Sequence, residues 1–274
     1  MTVAIRRAYA DNIHGQLHYR IAGAQGDAAR PALLCLHQTP RSGWEWEPIM
    51  PGLAQGRVVL APDTPGYGAS DAPPQPVGIP DFADAMIRFM DDMQAAGTAP
   101  PGPFDILGYH TGCVTATHMA RTWPDRVRRI VLIGLAAYDA ETRAARLANI
   151  GRFPIPEAND LSHVTRLWDL TETMVDPRAS PQWRHRALAE SLSTGVRLPW
   201  GFLAVYGFDF HQAMAEVRQP VLVINLGDDL QTVTQANYAR YSDVRKVDIP
   251  EAAHGALALE PDRFVDLIGG FLDR

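Results

Sequence analysis

The sequence predicts an α/β domain built on a mostly parallel, doubly wound sheet. Three observations predict it. Short apolar runs alternate with helical patterns along most of the chain. The runs are continuously apolar, as suits strands buried on both faces. One of them, Phe104-Asp-Ile-Leu, leads at once into Gly108-Tyr109-His110-Thr111-Gly112 and then into a helical stretch. That strand–turn–helix pattern sets a central polar side chain between two small residues.

The elements follow in order. Residues 3–9 and 16–22 are expected to form an opening hairpin with Asn12–Gly15 at its turn. Further strands are expected over Ala32–Leu36, Val58–Ala61, Phe104–Leu107, Arg129–Gly134, Val221–Leu226 and Arg245–Ile249. Phe82, Met86, Phe89, Met90 and Met93 mark one amphipathic helix, and Phe264, Leu267, Ile268 and Phe271 mark the last one. Pro261 opens that last helix, where its missing N–H costs nothing. Residues 139–213 break the alternation, with helical patterns and no clear strand. They are expected to form a helical cap inserted after the sixth strand, within a single domain spanning 1–274. A cap there would cover the sheet edge at which open α/β sheets bind ligands. Most of its aromatics (Trp168, Trp183, Trp200, Phe202, Tyr206, Phe208 and Phe210) are expected to form its own core, with a minority facing a pocket.

Composition excludes several classes. An apolar share of 46% and a charged share of 20% are those of a globular chain, not a disordered one. A net charge of −6 argues against nucleic acid or an anionic membrane as partner. Cys35 and Cys113 sit in apolar surroundings without metal-site spacing, so buried free thiols in a reducing compartment are expected. The first ten residues carry Arg6 and Arg7 but no apolar core of a signal peptide. No stretch approaches membrane-spanning length. The expected location is cytoplasmic and the expected partner a small molecule, with a homodimer left open.

The Gly-x-His-x-Gly turn has the form of a nucleophile elbow. Gly108 and Gly112 let the backbone close, and His110 is pushed to the top of the sheet at the start of a helix. Other segments fall in a telling order. His37-Gln38-Thr39-Pro40 follows the third strand, and Asp63-Thr-Pro-Gly-Tyr-Gly68-Ala-Ser70-Asp71 the fourth. Trp123-Pro-Asp-Arg-Val127 links the elbow helix to the sixth strand. Val221-Leu-Val-Ile-Asn-Leu-Gly227-Asp228-Asp229 precedes Ala253-His254-Gly255 and Glu260-Pro261. Over nearly the whole chain these segments resemble the α/β-hydrolase family, in which nucleophile, acid and histidine come in this order. Where that family commonly has serine, this chain has His110.

The resemblance implies the roles. His254 is the general base, and Asp229 orients it, with Asp228 as rival and Asp139 a distant third. On this view His254 takes any positive charge shared between the two imidazoles. The Thr111 N–H is one oxyanion donor, and the resemblance implies that Thr39 gives the second. Gln38 stands where the family often has glycine, and Tyr109 flanks the nucleophile position on the substrate side. His37 is expected to brace the oxyanion loop rather than act directly. Arg41 is expected at the surface, although it could pair with a substrate carboxylate. His118 is expected in packing or at the surface, and His163, His185 and His211 in solvent.

Histidine at the elbow leaves three readings. It could attack an acyl carbonyl and form an acyl-imidazole. It could bind or polarise a substrate while His254 and Asp229 activate water or remove a proton. Or the site could be inert and bind a ligand only. A positioned base argues for an enzyme. The expected function is hydrolysis of a small ester, lactone or activated carbon–carbon bond by His110, Asp229 and His254. The alternatives are a cofactor-free lyase or oxygenase-like enzyme using the His254–Asp229 dyad, and a ligand-binding pseudoenzyme. No cofactor is expected. His37, His110 and His254 could converge on a metal at the sheet edge, but no helix carries paired histidines, so none is expected.

Overall fold

The computed structural model describes residues 3–23, 30–152 and 155–274. Eight strands form one sheet: β1 Arg6–Asn12, β2 Gly15–Ala22, β3 Leu33–Leu36, β4 Val59–Pro62, β5 Phe104–Tyr109, β6 Val127–Ile133, β7 Val221–Leu226 and β8 Val244–Ile249. Their order is β1-β2-β4-β3-β5-β6-β7-β8. β2 pairs antiparallel with both β1 and β4, and the strands from β3 to β8 run parallel. The helices in chain order are α1 Met50–Leu53, α2 Ile79–Ala95, α3 Thr111–Thr122, α4 Ala140–Asn149, α5 Ser162–Met174, α6 Pro181–Thr194, α7 Trp200–Tyr206, α8 Phe210–Glu216, α9 Gln231–Asn237, α10 Ala256–Leu259 and α11 Pro261–Leu272.

Successive side chains of a strand point to opposite faces, so each central strand feeds two cores. Leu34, Ile106 and Leu132 pack on one face with Phe82, Met86 and Phe89 of α2 and Val114 and Met119 of α3. Leu33, Leu107 and Ile133 pack on the other with Met50 of α1 and Phe264, Ile268 and Phe271 of α11. Both cysteines are free and buried. Among the described residues no helix is long and apolar enough to cross a membrane.

Two boundaries and one burial pattern depart from expectation for a physical reason. β1 runs to Asn12, because the ladder closes only at the Asn12–Gly15 pair around a two-residue turn. β6 starts at Val127 rather than Arg129. Its arginines are paired within the fold: Arg128 donates to Asp105 (2.6 Å) and Arg129 to the Phe271 carbonyl (2.9 Å). β8 is the last strand of the sheet and is only partly buried, so it lacks the fully apolar surroundings expected of it.

Between β6 and β7 the described chain is helical, from α4 to α8. Trp183, Phe202 and Tyr206 of this segment face a cavity, while Phe210 is buried in the main core.

Candidate active site

The elbow is built as its glycines require. β5 ends at Tyr109, α3 begins at Thr111, and His110 alone makes the turn, with φ 45° and ψ −104°. Such a conformation costs a non-glycine residue on the order of 1–3 kcal/mol and persists only where the surroundings enforce it. A Cβ on Gly112 would lie 2.0 Å from the Leu36 carbonyl oxygen, and one on Gly108 would lie 2.7 Å from Gly112 backbone atoms. Only glycine at both places lets α3 start this close to β3 and β5.

The His110 ring turns toward β6 and β7 and lies over Gly134. A Cβ there would meet the ring at 2.5–2.6 Å. His110 Nε2 is 3.0 Å from Asp228 Oδ2. A carboxylate only accepts, so Nε2 is the donor. The Asp228 side chain is fully buried, and its other oxygen accepts from the Leu230 N–H (2.9 Å). His254 forms a second pair, with its Nε2 3.2 Å from Asp229 Oδ1. The two rings sit edge-to-face with centroids 5.1 Å apart. In the serine triad the acid holds Nδ1 and leaves Nε2 as the base. Here Asp229 takes Nε2, which leaves Nδ1 as the basic nitrogen of His254.

The electrostatics separate the two pairs. Burial disfavours the His110 cation, but the charge and hydrogen bond of Asp228 more than offset this and raise its pKa above the ordinary value, with Asp229 and Glu45 assisting. Burial likewise opposes ionisation of Asp228, yet His110 holds it below the ordinary carboxylate range. Asp229 also works against its own desolvation, and the His254 hydrogen bond brings it down to about 2. The buried Asp228 carboxylate thus favours the cationic form of His110.

A cavity of about 180 Å³ lies over the pairs. His110, Thr111, Gln38, Thr39, Asp229 and His254 line its floor, and helices between β6 and β7 line its roof. Thr111 opens α3, so its N–H is among those with no acceptor inside the helix. Its hydroxyl donates to Thr39 Oγ1 (3.1 Å), joining the elbow to the loop that follows β3. The Gln38 amide donates to Glu45 (2.5 Å). Two expected site residues stand apart from the cavity. Tyr109 is buried beneath it, with its ring stacked at 14° on His254 and edge-to-face on His110. It packs against both imidazoles and does not line the cavity. His37 has both nitrogens engaged by backbone, donating from Nδ1 to the Gln38 carbonyl and accepting at Nε2 from the Thr64 N–H, each at 2.8 Å.

The described side chains also contain a donor set for a metal ion. One ligand atom each from His110, Asp228, Asp229 and His254 lie within 4.8 Å of one another. His37 is not in that set.

Comparison with known proteins matches residues 31–261 to the family model for the alpha/beta hydrolase fold. The chain belongs to the α/β hydrolase fold family. A fluoroacetate dehalogenase from a Burkholderia species is 29% identical over 184 residues, covering 66% of this chain and 55% of that enzyme. The pyrrolizixenacetamide deacetylase of Xenorhabdus hominickii is 25% identical and covers 90% of this chain and 92% of its own length. Among solved structures, a hydrolase from Pseudomonas aeruginosa superposes with a TM-score of 0.80 at 24% identity, covering 98% of this chain and 99% of that one. The enol-lactonase of Burkholderia xenovorans gives 0.76 at 21% identity over 97% of this chain and 100% of that one.

Within this family fold, sequence reasoning missed several residues of the site. Gly134 clears room for the His110 ring. Asp176 is fully buried; its N–H donates to the His254 carbonyl (2.9 Å), tying the helical segment to the histidine loop. Glu45 is buried and pushed up to about 7 by that burial, against the pull of Gln38 and Arg41. Arg41, expected at the surface, is 5% exposed and lines the cavity. Its burial comes from α6, about 150 residues on, which local sequence does not announce. The other histidines vary. His118 packs edge-to-face on Phe208, His185 is exposed, and His163 and His211 each bond a backbone group.

Proposed function

We propose that the chain is a hydrolase of a small organic molecule, an ester, lactone or activated carbon–carbon bond, that attacks with water instead of a covalent nucleophile. Names of relatives such as the deacetylase and the enol-lactonase support hydrolysis of small molecules. The observation that carries the finer reading is the 3.0 Å contact of His110 Nε2 with the buried Asp228 carboxylate. A protonated imidazole has no lone pair for attack. It is instead a strong donor, suited to an oxygen that gains negative charge. In this reading His254 Nδ1 takes the proton from water, and Asp229 stabilises the cation that results. His110 and the Thr111 and Thr39 N–H groups receive the oxyanion, and the helices between β6 and β7 cap the site.

The test is the pH profile of turnover. A His110 that must stay protonated predicts that kcat falls as pH rises through its raised pKa, above the ordinary value of about 6.5. Asp228→Asn removes the group that holds the proton, so the alkaline limb should move to lower pH. An alkaline limb that stays in place in this variant speaks against the cationic role.

The donor set supports a second reading. Two imidazole nitrogens and two carboxylate oxygens suit a divalent first-row cation. Such a cation would supply a hydroxide from bound water, with the four residues as its ligands. Dialysis against a strong chelator separates the readings. Proton chemistry predicts unchanged turnover and no stoichiometric metal by elemental analysis. Loss of activity that zinc or manganese restores would establish the metal instead.

A further inference from the structure

Arg41 is a buried cation that the water-attack chemistry does not use. Its backbone N–H donates to the Gln38 carbonyl (2.8 Å), a tight turn just after the oxyanion loop. The side chain runs inward along the cavity wall. Nη1 donates to the Ala187 carbonyl (3.1 Å) and to Ser191 Oγ (3.3 Å), both on α6, and the guanidinium carbon lies 5.7 Å from the Trp183 ring centroid. Nε is buried with no hydrogen-bond partner among the described residues.

The nearby carboxylates do not neutralise it. Among the described residues none comes within 4.0 Å of the guanidinium. Glu45 and Glu190 act on it only through space. Glu45 is engaged by Gln38, and Glu190 accepts from the Ser42 hydroxyl (2.5 Å). Burial raises the pKa of both, which weakens them as counter-ions. A buried charge without a close partner is costly unless something pairs with it. The remaining wall is largely apolar, with Leu167, Leu170, Met174, Val175, Leu198 and Phe202. Arg41 lines this wall, and a guanidinium in such surroundings matches the planar fork of a carboxylate.

We infer that Arg41 anchors a carboxylate of the substrate, so that the molecule hydrolysed is a small acid carrying its scissile bond at a distance from that carboxylate. The inference rests on the hydrolase reading for the scissile bond, but the anion site itself does not. Arg41 pairs with the carboxylate at the wall while the apolar middle of the substrate fills the cavity and its reacting carbonyl reaches His110 and His254.

Two measurements test it. Calorimetry compares pentanoate with pentanamide, which share shape and differ in charge. Wild-type protein should bind pentanoate at least about tenfold more tightly, the worth of a charged hydrogen-bonded pair. Arg41→Gln should erase that preference, and Arg41→Lys should keep part of it. Equal binding of the two by the wild type, which needs no variant to fold, overturns the anchor. The second measurement compares kcat/KM for monomethyl glutarate and for methyl pentanoate. The wild type should favour the anionic ester, and the ratio should collapse in Arg41→Gln. Hydrolysis of both esters without preference would sink the anchor and leave the hydrolase reading standing. Carboxylate binding without any ester hydrolysis would do the reverse.

Discussion

His254→Ala is expected to lower turnover of any true substrate by about 100- to 10,000-fold, the range of a lost general base. The histidine sits 3.2 Å from Asp229, faces the cavity, and is tied in place through Asp176 and the stacked Tyr109 ring. Its Nε2 is held by Asp229, which leaves Nδ1 to take a proton. The loss should fall on kcat more than on KM, because the proton moves only in the transition state. Steady-state kinetics of the purified variant, with circular dichroism to show it folded, checks this. Turnover within a few-fold of wild type would remove the base assignment.

Substitutions at His110 should diverge. His110→Ala is expected to lose about 100- to 1000-fold in kcat, as when one oxyanion donor is removed. His110→Asn keeps a side-chain donor of similar reach, and asparagine accepts positive φ more readily than most residues. It should therefore retain most of the activity that alanine loses. This contrast follows from the proposed role: His110 Nε2 lies 3.0 Å from Asp228 Oδ2 and the residue lines the cavity, which suits a donor better than a free nucleophile. A covalent acyl-imidazole would need the ring itself, and then both variants would be equally inactive. Equal, severe losses in two folded variants would return His110 to the nucleophile role.

Much of this arrangement is legible in the sequence because local constraints write it there. Gly108 and Gly112 flank His110 because nothing larger fits, and that spacing is visible in any reading of the chain. The apolar run Val221–Leu226 forms β7 with the bounds its residues suggest, since a central parallel strand is apolar from end to end. The less legible parts depend on contacts distant in sequence. β6 starts early because Arg128 and Arg129 find partners at Asp105 and near the C-terminal helix. Adjacent acids cannot be told apart by position. Asp228 turns to His110 and Asp229 to His254 only once β5 and β7 flank β6 in the sheet. Arg41 looks like a surface residue until α6 folds over it. Gly134 reads as a loop glycine until the His110 ring lies against it.

The claim that water attacks directly, with His110 as a bound cation, is tested most sharply by looking for a covalent intermediate. Rapid mixing of stoichiometric enzyme with an activated ester, quenched in acid and followed by intact-protein mass spectrometry, reads it directly. Direct attack by water predicts linear product release without a burst and no acyl mass on the protein at any time. A stoichiometric burst, with the acyl group mapped to His110 by peptide analysis, would contradict it.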